Sequence, residues 1–378
     1  MQVEQTSWNK NQPRGKNVPD LQKSAQIALV FGDRHVLDGN ERFNEIRSMY
    51  PNAHILGCST AGEISGTTVS DNSIVVTALN FAATEVEVSQ VDVGACGDGS
   101  LCGERLAAAL PAENLVHVFA LSDGTSVNGS ELVRGMLRAL PRGVTVTGGL
   151  AGDGDRFEQT LVLCDQPPKA GIAAALGLYG RQLKIGYGSL GGWDSFGPHR
   201  LVTRSQSNVL LELDKQPALA LYKKYLGKHA SGLPATGLLF PLSVKIQGAE
   251  REVVRTILSI DETNQSLTFA GDIPEGSFAR LMKANMDRLV DGAQGAATTS
   301  YEAIGSQAPD LAILISCIGR RLVLKQRTEE ELDSVQAVLG AGTVMTGFYS
   351  YGEICPAALN ANCELHNQTM TITTLTER

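Results

Sequence analysis

The chain has 378 residues, 43% of them hydrophobic and 19% charged, with a formal net charge of -8. A chain of this make-up buries a real core over about two or three domains. Its acidity excludes a polyanionic partner such as nucleic acid, and no apolar run reaches the roughly 18 residues of a membrane span, so no membrane insertion is expected. The seven cysteines are scattered, three of them (Cys58, Cys164, Cys317) in apolar strand-like runs, the pattern of a reduced, cytoplasmic protein.

In chain order, residues 1–24 read as a polar, poorly ordered lead-in without the apolar core of a signal peptide. A strand-like run follows, QIALVFG (Gln26–Gly32), and then a helical pattern, GNERFNEIRSMY (Gly39–Tyr50), with Phe43, Ile46 and Met49 as its apolar stripe. LGCSTAGEI (Leu56–Ile64) leads through a polar loop to NSIVVTAL (Asn72–Leu79). The order recurs near the C-terminus as LAILISC (Leu311–Cys317), TEEELDSVQAVLG (Thr328–Gly340), TVMTGFYSYGEI (Thr343–Ile354) and NQTMTITTL (Asn367–Leu375). A weaker copy lies between them: LVHVFALSDG (Leu115–Gly124), SELVRGMLRAL (Ser130–Leu140), VTVTGGLAGDG (Val144–Gly154) and QTLVLC (Gln159–Cys164). Matched spacings from Gly32 to Gly57, Gly124 to Gly148 and Gly319 to Gly347 support the repeat.

Between the second and third copies come glycine-rich strands (Ala174–Trp193), a helix over QPALALYKKYLGK (Gln216–Lys228), a strand and turn at SLTFAGDIP (Ser266–Pro274), and a helix through EGSFARLMKANMDRLVDGAQ (Glu275–Gln294). The fold class is mixed α/β (α+β): repeated strand–helix–strand–strand units form two lobes, with mixed sheets flanked by helices. Gly/Pro punctuation at GKHASGLP places the boundary between residues 25–226 and 227–378.

CSTAGEI, SDGTSVNGSEL, GGLAGDG, FGPHRLVTRS, ELDKQPALALYKKYLG, GLPATGLLFPL, ISCIGRR and GFYSYGEI with LHNQTMTIT together resemble the FIST sensory proteins, from residue 25 to the end. The resemblance implies two domains, FIST N and FIST C, and small-ligand sensing for bacterial signalling rather than catalysis. It implies output through a separate protein, a histidine kinase or another signalling partner acting in trans. Stand-alone FIST proteins of this length resemble the NosP-type sensors, which implies haem b as cofactor, nitric oxide as ligand and a role in biofilm regulation.

Aligning QTMTI with QTLVL places Asp71, Phe157 and His366 at one scaffold position, and only the histidine can ligate haem iron. His366 is therefore the first choice of axial ligand, with strand capping as the competing role. Cys355, followed by Pro356, and His199 are the alternatives; Cys355, Cys363 and His366 lack the fourth ligand and tight spacing of a zinc site. His117 fits a core group, His54 a strand entry, and His35 and His229 polar loops.

Glu63 and Glu353 occupy equal places in the twin GEI motifs, where a glutamate can lock a glycine turn by accepting N–H bonds. In the third copy Glu353, with Tyr349, Ser350, Tyr351 and Asn367, is instead a candidate lining for a ligand pocket beside the cofactor. Arg204 and Arg320 are candidate anchors for carboxylates, of haem or of an amino acid, against the alternative of surface ion pairing. Cys58 near His54 lacks an orienting third group, and GGLAGDG lacks the Gly-Lys-Ser/Thr of a phosphate loop, so an enzyme is not expected. Two readings remain: a haem-based nitric-oxide sensor, and a haem-free receptor for an amino acid or similar small metabolite. Homo-oligomers suit either.

Overall fold

A computed structural model gives the fold; it describes residues 1–9, 20–247, 252–356 and 361–377. Three sheets share one strand order. In each, a central buried strand pairs in parallel with the second strand of its unit and antiparallel with the third. The central strands are Ile27–Gly32, Leu115–Ser122 and Leu311–Cys317. The second strands are His54–Ser59, Thr145–Leu150 and Val344–Ser350. The third are Ser73–Asn80, Ile172–Tyr179 and Met370–Glu377.

The period of two explains why these strands are apolar on both faces. Ile27, Leu29 and Phe31 point into one core shared with Phe119, Leu121, Ile313 and Ile315 from the other sheets. Ala28 and Val30 point the other way, onto Phe43, Ile46 and Met49 of the helix Glu41–Met49.

The units exchange strands in a closed circle. Glu63–Ser65 of the first unit extends the third unit's sheet, Gly352–Pro356 of the third extends the second's, and Val162–Cys164 of the second extends the first's. Beside these strands, three backbone hydrogen bonds close a ring: Ala61 N–H to Tyr349 O at 2.8 Å, Tyr351 N–H to Leu150 O at 3.2 Å, and Gly152 N–H to Ser59 O at 2.9 Å. The repeat read from sequence is thus a pseudo-threefold body held by swapped strands.

Several expectations change. QTLVLC is the second unit's donated strand, not its third; the third is Ile172–Tyr179. The alignment through Gln-Thr is displaced accordingly. Glu63 pairs with Ser70 and Glu353 with His366, so His366 corresponds to Ser70, and Asn367 to Asp71. Of the matched glycines, Gly57, Gly148 and Gly347 coincide, because each faces a central-strand carbonyl that a Cβ would meet at 1.8–2.0 Å. Gly124 and Gly319 do not coincide with Gly32, which pairs with Ser59 at a position held by Ser122 and Ser316 elsewhere.

The lead-in also carries structure. Gln2–Asn9 is an edge strand on Ser73–Asn80, with Trp8 buried and Gln5 bonded to Thr77, Ser65 and Met345 O. Its apolar contacts are few, Trp8 on one face and Val3 on the other, and Gln5 adds amide bonds, which hid the strand from a hydrophobicity reading. Residues 10–19 of the lead-in lie outside the described residues. The segment expected as one helix from Glu275 divides into the strand Phe278–Lys283 and the helix Met286–Ala303, where Asn285 caps the helix by accepting from Arg288 N–H. Strands within residues 194–247 and 252–283 build a separate sheet with its own core, including Val202, Leu210, Leu219, Leu242, Phe269 and Leu281. In space, the division runs between this sheet and the three-unit body.

Candidate functional site

A cleft of about 710 Å³ opens where the three units meet. The first unit supplies Asp33, Thr60, Gly62, Asp71 and Asn72 at its strand ends. The second supplies Gly154, Asp155 and Arg156, on the long turn that replaces a tight hairpin there. The third supplies the segment from Ile318 to Glu329, with Arg321 and Lys325. Among the described residues, no histidine, cysteine or methionine lines it.

Arg321 fixes one wall. It grips Asp71 through two bonds, 2.7 and 2.6 Å, donates to Ala61 O at 2.7 Å, and lies over the Tyr349 ring at 5.5 Å. Gly62, at φ +129°, makes room: a Cβ there would sit 2.5 Å from the guanidinium. Arg156 is held more loosely, 3.6 Å from Asp33 and 3.9 Å from Asp153. Its turn is pinned from below by Tyr351, whose hydroxyl donates to Asp153 Oδ1 and accepts from the N–H groups of Asp153 and Phe157, both at 3.1 Å. Phe157 stacks on the Tyr351 ring at 4.2 Å. Asp153 also accepts from the N–H groups of Phe157, Glu158 and Gln159.

Under the floor, Glu63 is buried between Thr60 Oγ1 and Ser73 Oγ, each donating at 2.5 Å. Burial pushes its carboxyl up to about 7; the two hydroxyls pull it down, while Asp33 and Asp71 add to the rise. Glu353 is its counterpart, taking Ser350 Oγ at 2.7 Å and Thr369 Oγ1 at 2.9 Å, and burial pushes it up to about 8. Both glutamates lock their own turn to the third strand of their unit.

The expected pocket residues are mostly spent internally. Tyr349 donates to Glu331 at 2.6 Å, Ser350 to Glu353, and Tyr351 to Asp153. Asn367 is fully buried with neither amide atom bonded, and its counterpart Asp71 lines the open cleft. Arg320 is fully buried, bonded to Glu331 at 2.8 Å and to the carbonyls of Gly191 and Leu289, a position that ties helix to core rather than anchoring a ligand. Arg204 lies exposed on the separate sheet, 3.4 Å from Glu212. His199 is exposed on the same sheet. The structure therefore does not gather these residues at one site. Arg321, one position beyond Arg320, and Arg156 were missed; the signal for Arg321 was its placement in ISCIGRR, directly after a central strand end.

His366 is half-buried and donates from Nε2 to Cys355 O at 2.9 Å. It lines none of the clefts described here, and residues 357–360 of its loop lie outside the described residues. Cys355 and Cys363 are buried thiols that burial pushes well up, away from thiolate. Among the described residues, no three His, Cys, Asp or Glu side chains are grouped to hold an ion. His117 is a core group, as expected: burial pushes it down to about 3 between the hydroxyls of Thr145 and Thr147.

Residues 26–216 match the FIST N domain and 218–356 the FIST C domain. The chain belongs to the FIST family, whose domains are small-ligand sensory domains. Among curated proteins, none matches it. A crystal structure of cyanuric acid hydrolase from A. caulinodans is similar at 7% identity and a TM-score of 0.37, covering 94% of this chain and 90% of that one. A likeness at that level bears on neither mechanism nor substrate. No helix among the described residues is long and apolar enough to cross a membrane.

Proposed function

We propose that this protein is a haem-free receptor that takes a small zwitterionic metabolite, of the amino-acid kind, in the cleft between the three units. The observation that supports the reading is the lining itself, which carries both signs of charge: Arg156, Arg321 and Lys325 with Asp33, Asp71 and Asp155, Arg321 bonded to Asp71 and Arg156 held loosely 3.6 Å from Asp33. Arginine and lysine receive a carboxylate, and aspartates receive an ammonium group. A ligand held by Arg156 and by the third unit's wall draws two units together, and that differential contact shifts a conformational equilibrium read by a partner in trans. A cytoplasmic histidine kinase is the partner the family resemblance implies.

The test is a thermal-shift panel of free amino acids on the wild type and on Arg156→Gln. At least one compound raises the wild-type Tm with concentration, and the variant loses most of that rise. Absence of any concentration-dependent rise refutes the reading.

Haem-based nitric-oxide sensing is the second reading that the family resemblance implies, with His366, whose Nε2 is oriented by its bond to Cys355 O, as the candidate ligand. A stoichiometric Soret band, shifting with nitric oxide and lost in His366→Ala, would replace the metabolite reading.

A further inference from the structure

Arg255 ends the strand Val253–Arg255 of the separate sheet and reaches across to the three-unit body. It is only 4% exposed, yet it forms no ion pair among the described residues. Its Nε–H bonds Asp272 O at 3.1 Å, and Nη1 bonds Leu365 O at 2.9 Å and Val254 O at 3.4 Å. Among the described residues, these bonds use Nε and Nη1 and none uses Nη2. Gly271 makes room for the head group, since a Cβ there would lie 2.9 Å from Nε. Two carboxylates, Asp272 and Glu364, share the cavity with it, and Asp272 is taken by Asn128 at 2.8 Å and Arg134 at 2.6 Å.

This guanidinium lines a cavity of about 290 Å³ between the helix Gly129–Ala139, the separate sheet and the strand Cys363–His366. Val133, Leu137, Ile246 and Val253 form an apolar wall. The place is no accident of packing. The third unit's hairpin lies against the second unit's helix here, as the first unit's hairpin lies against the third unit's helices at the larger cleft.

Burial pushes the Arg255 guanidinium down to about 10 although Asp272 and Glu364 pull it back up, so its desolvation is only partly compensated, and an oxyanion in the plane of its open edge offsets the remainder. We infer that this cavity is a second ligand site, which takes a small aliphatic monocarboxylate: the carboxylate on Arg255, the hydrocarbon against Val133 and Leu137. Bound there, the ligand joins the separate sheet to the three-unit body. The inference does not depend on what the larger cleft binds.

Isothermal titration of the full chain with isovalerate, against isovaleramide, tests it. Isovalerate binds, and the neutral amide binds roughly tenfold more weakly or worse. Arg255→Gln removes isovalerate binding. Leu137→Trp, which fills the cavity without touching Arg255, removes it too, so the result stands even if Arg255→Gln misfolds. Arg156→Gln leaves it unchanged. Failure of isovalerate to bind, equal binding of the amide, binding that survives Leu137→Trp, or binding lost in Arg156→Gln overturns the assignment.

Discussion

Glu63 and Glu353 stand at equivalent places in two units and are held in the same way. Each accepts from a hydroxyl three residues earlier, Thr60 or Ser350, and from the hydroxyl that precedes or opens the third strand, Ser73 or Thr369. The second unit puts Val162 at this place, opposite Cys58 as Glu63 is opposite Phe348 and Glu353 opposite Gly149. The repeated Gly-Glu-Ile is therefore a structural fastener.

The two carboxyls make stability depend on pH. Both are raised in the folded state, to about 7 and about 8 from 4.5, so the native chain holds protons that the unfolded chain has released. Their contribution is fully present below the unfolded value and is lost as pH rises from about 4.5 through those folded values. For Glu353 the loss is at most on the order of 5 kcal/mol. Urea denaturation should show wild-type stability falling across this window, and Glu353→Gln should flatten the fall. A parallel decline in the variant contradicts it.

Tyr351→Phe tests the tie between the third unit and the turn bearing Arg156. The ring and its stacking on Phe157 stay, while Asp153 and two N–H groups lose a partner. The expected cost is about 1–3 kcal/mol in chemical denaturation, together with weaker binding in the cleft. Unchanged affinity would separate the turn from the site.

Glu331→Gln tests the placement of Arg320. Removing one charge of a buried pair leaves the other uncompensated, a loss of about 3–5 kcal/mol. A variant as stable as the wild type would mean that Arg320 is free for a ligand after all.

Gly347→Ala tests the close crossing of paired strands. At φ +153° a Cβ would sit 1.8 Å from Leu314 O, backbone that cannot move aside. The substitution should cost roughly 3 kcal/mol or more, whereas Gly340→Ala, with open space around it, is limited to the strain of its own φ of +90°. Equal Tm values for the two variants would contradict this.

Much of the body was legible in the sequence because its signals are local. Apolar runs marked the central strands, the Phe43–Ile46–Met49 stripe marked a helix, and the glycines at 57, 148 and 347 marked equivalent crossings. The exchange of strands was not legible, since QTLVLC reads the same whether it joins its own sheet or its neighbour's. That ambiguity displaced His366 by one position and drew attention to the C-terminal loop. The cleft was hidden for a related reason: Asp71, Arg156 and Arg321 come from three units and meet only when the circle closes. Arg320 and Arg321 are adjacent in sequence, but the helix turns one inward to Glu331 and the other toward Asp71.

Hydrogen–deuterium exchange with and without the amino acid that raises Tm most tests the central claim most directly. The account predicts slowed exchange in residues 60–62, 71–72, 154–156 and 318–329, the walls of the three-unit cleft. Protection confined to residues 363–366 and 130–137, or none in those walls, would contradict it.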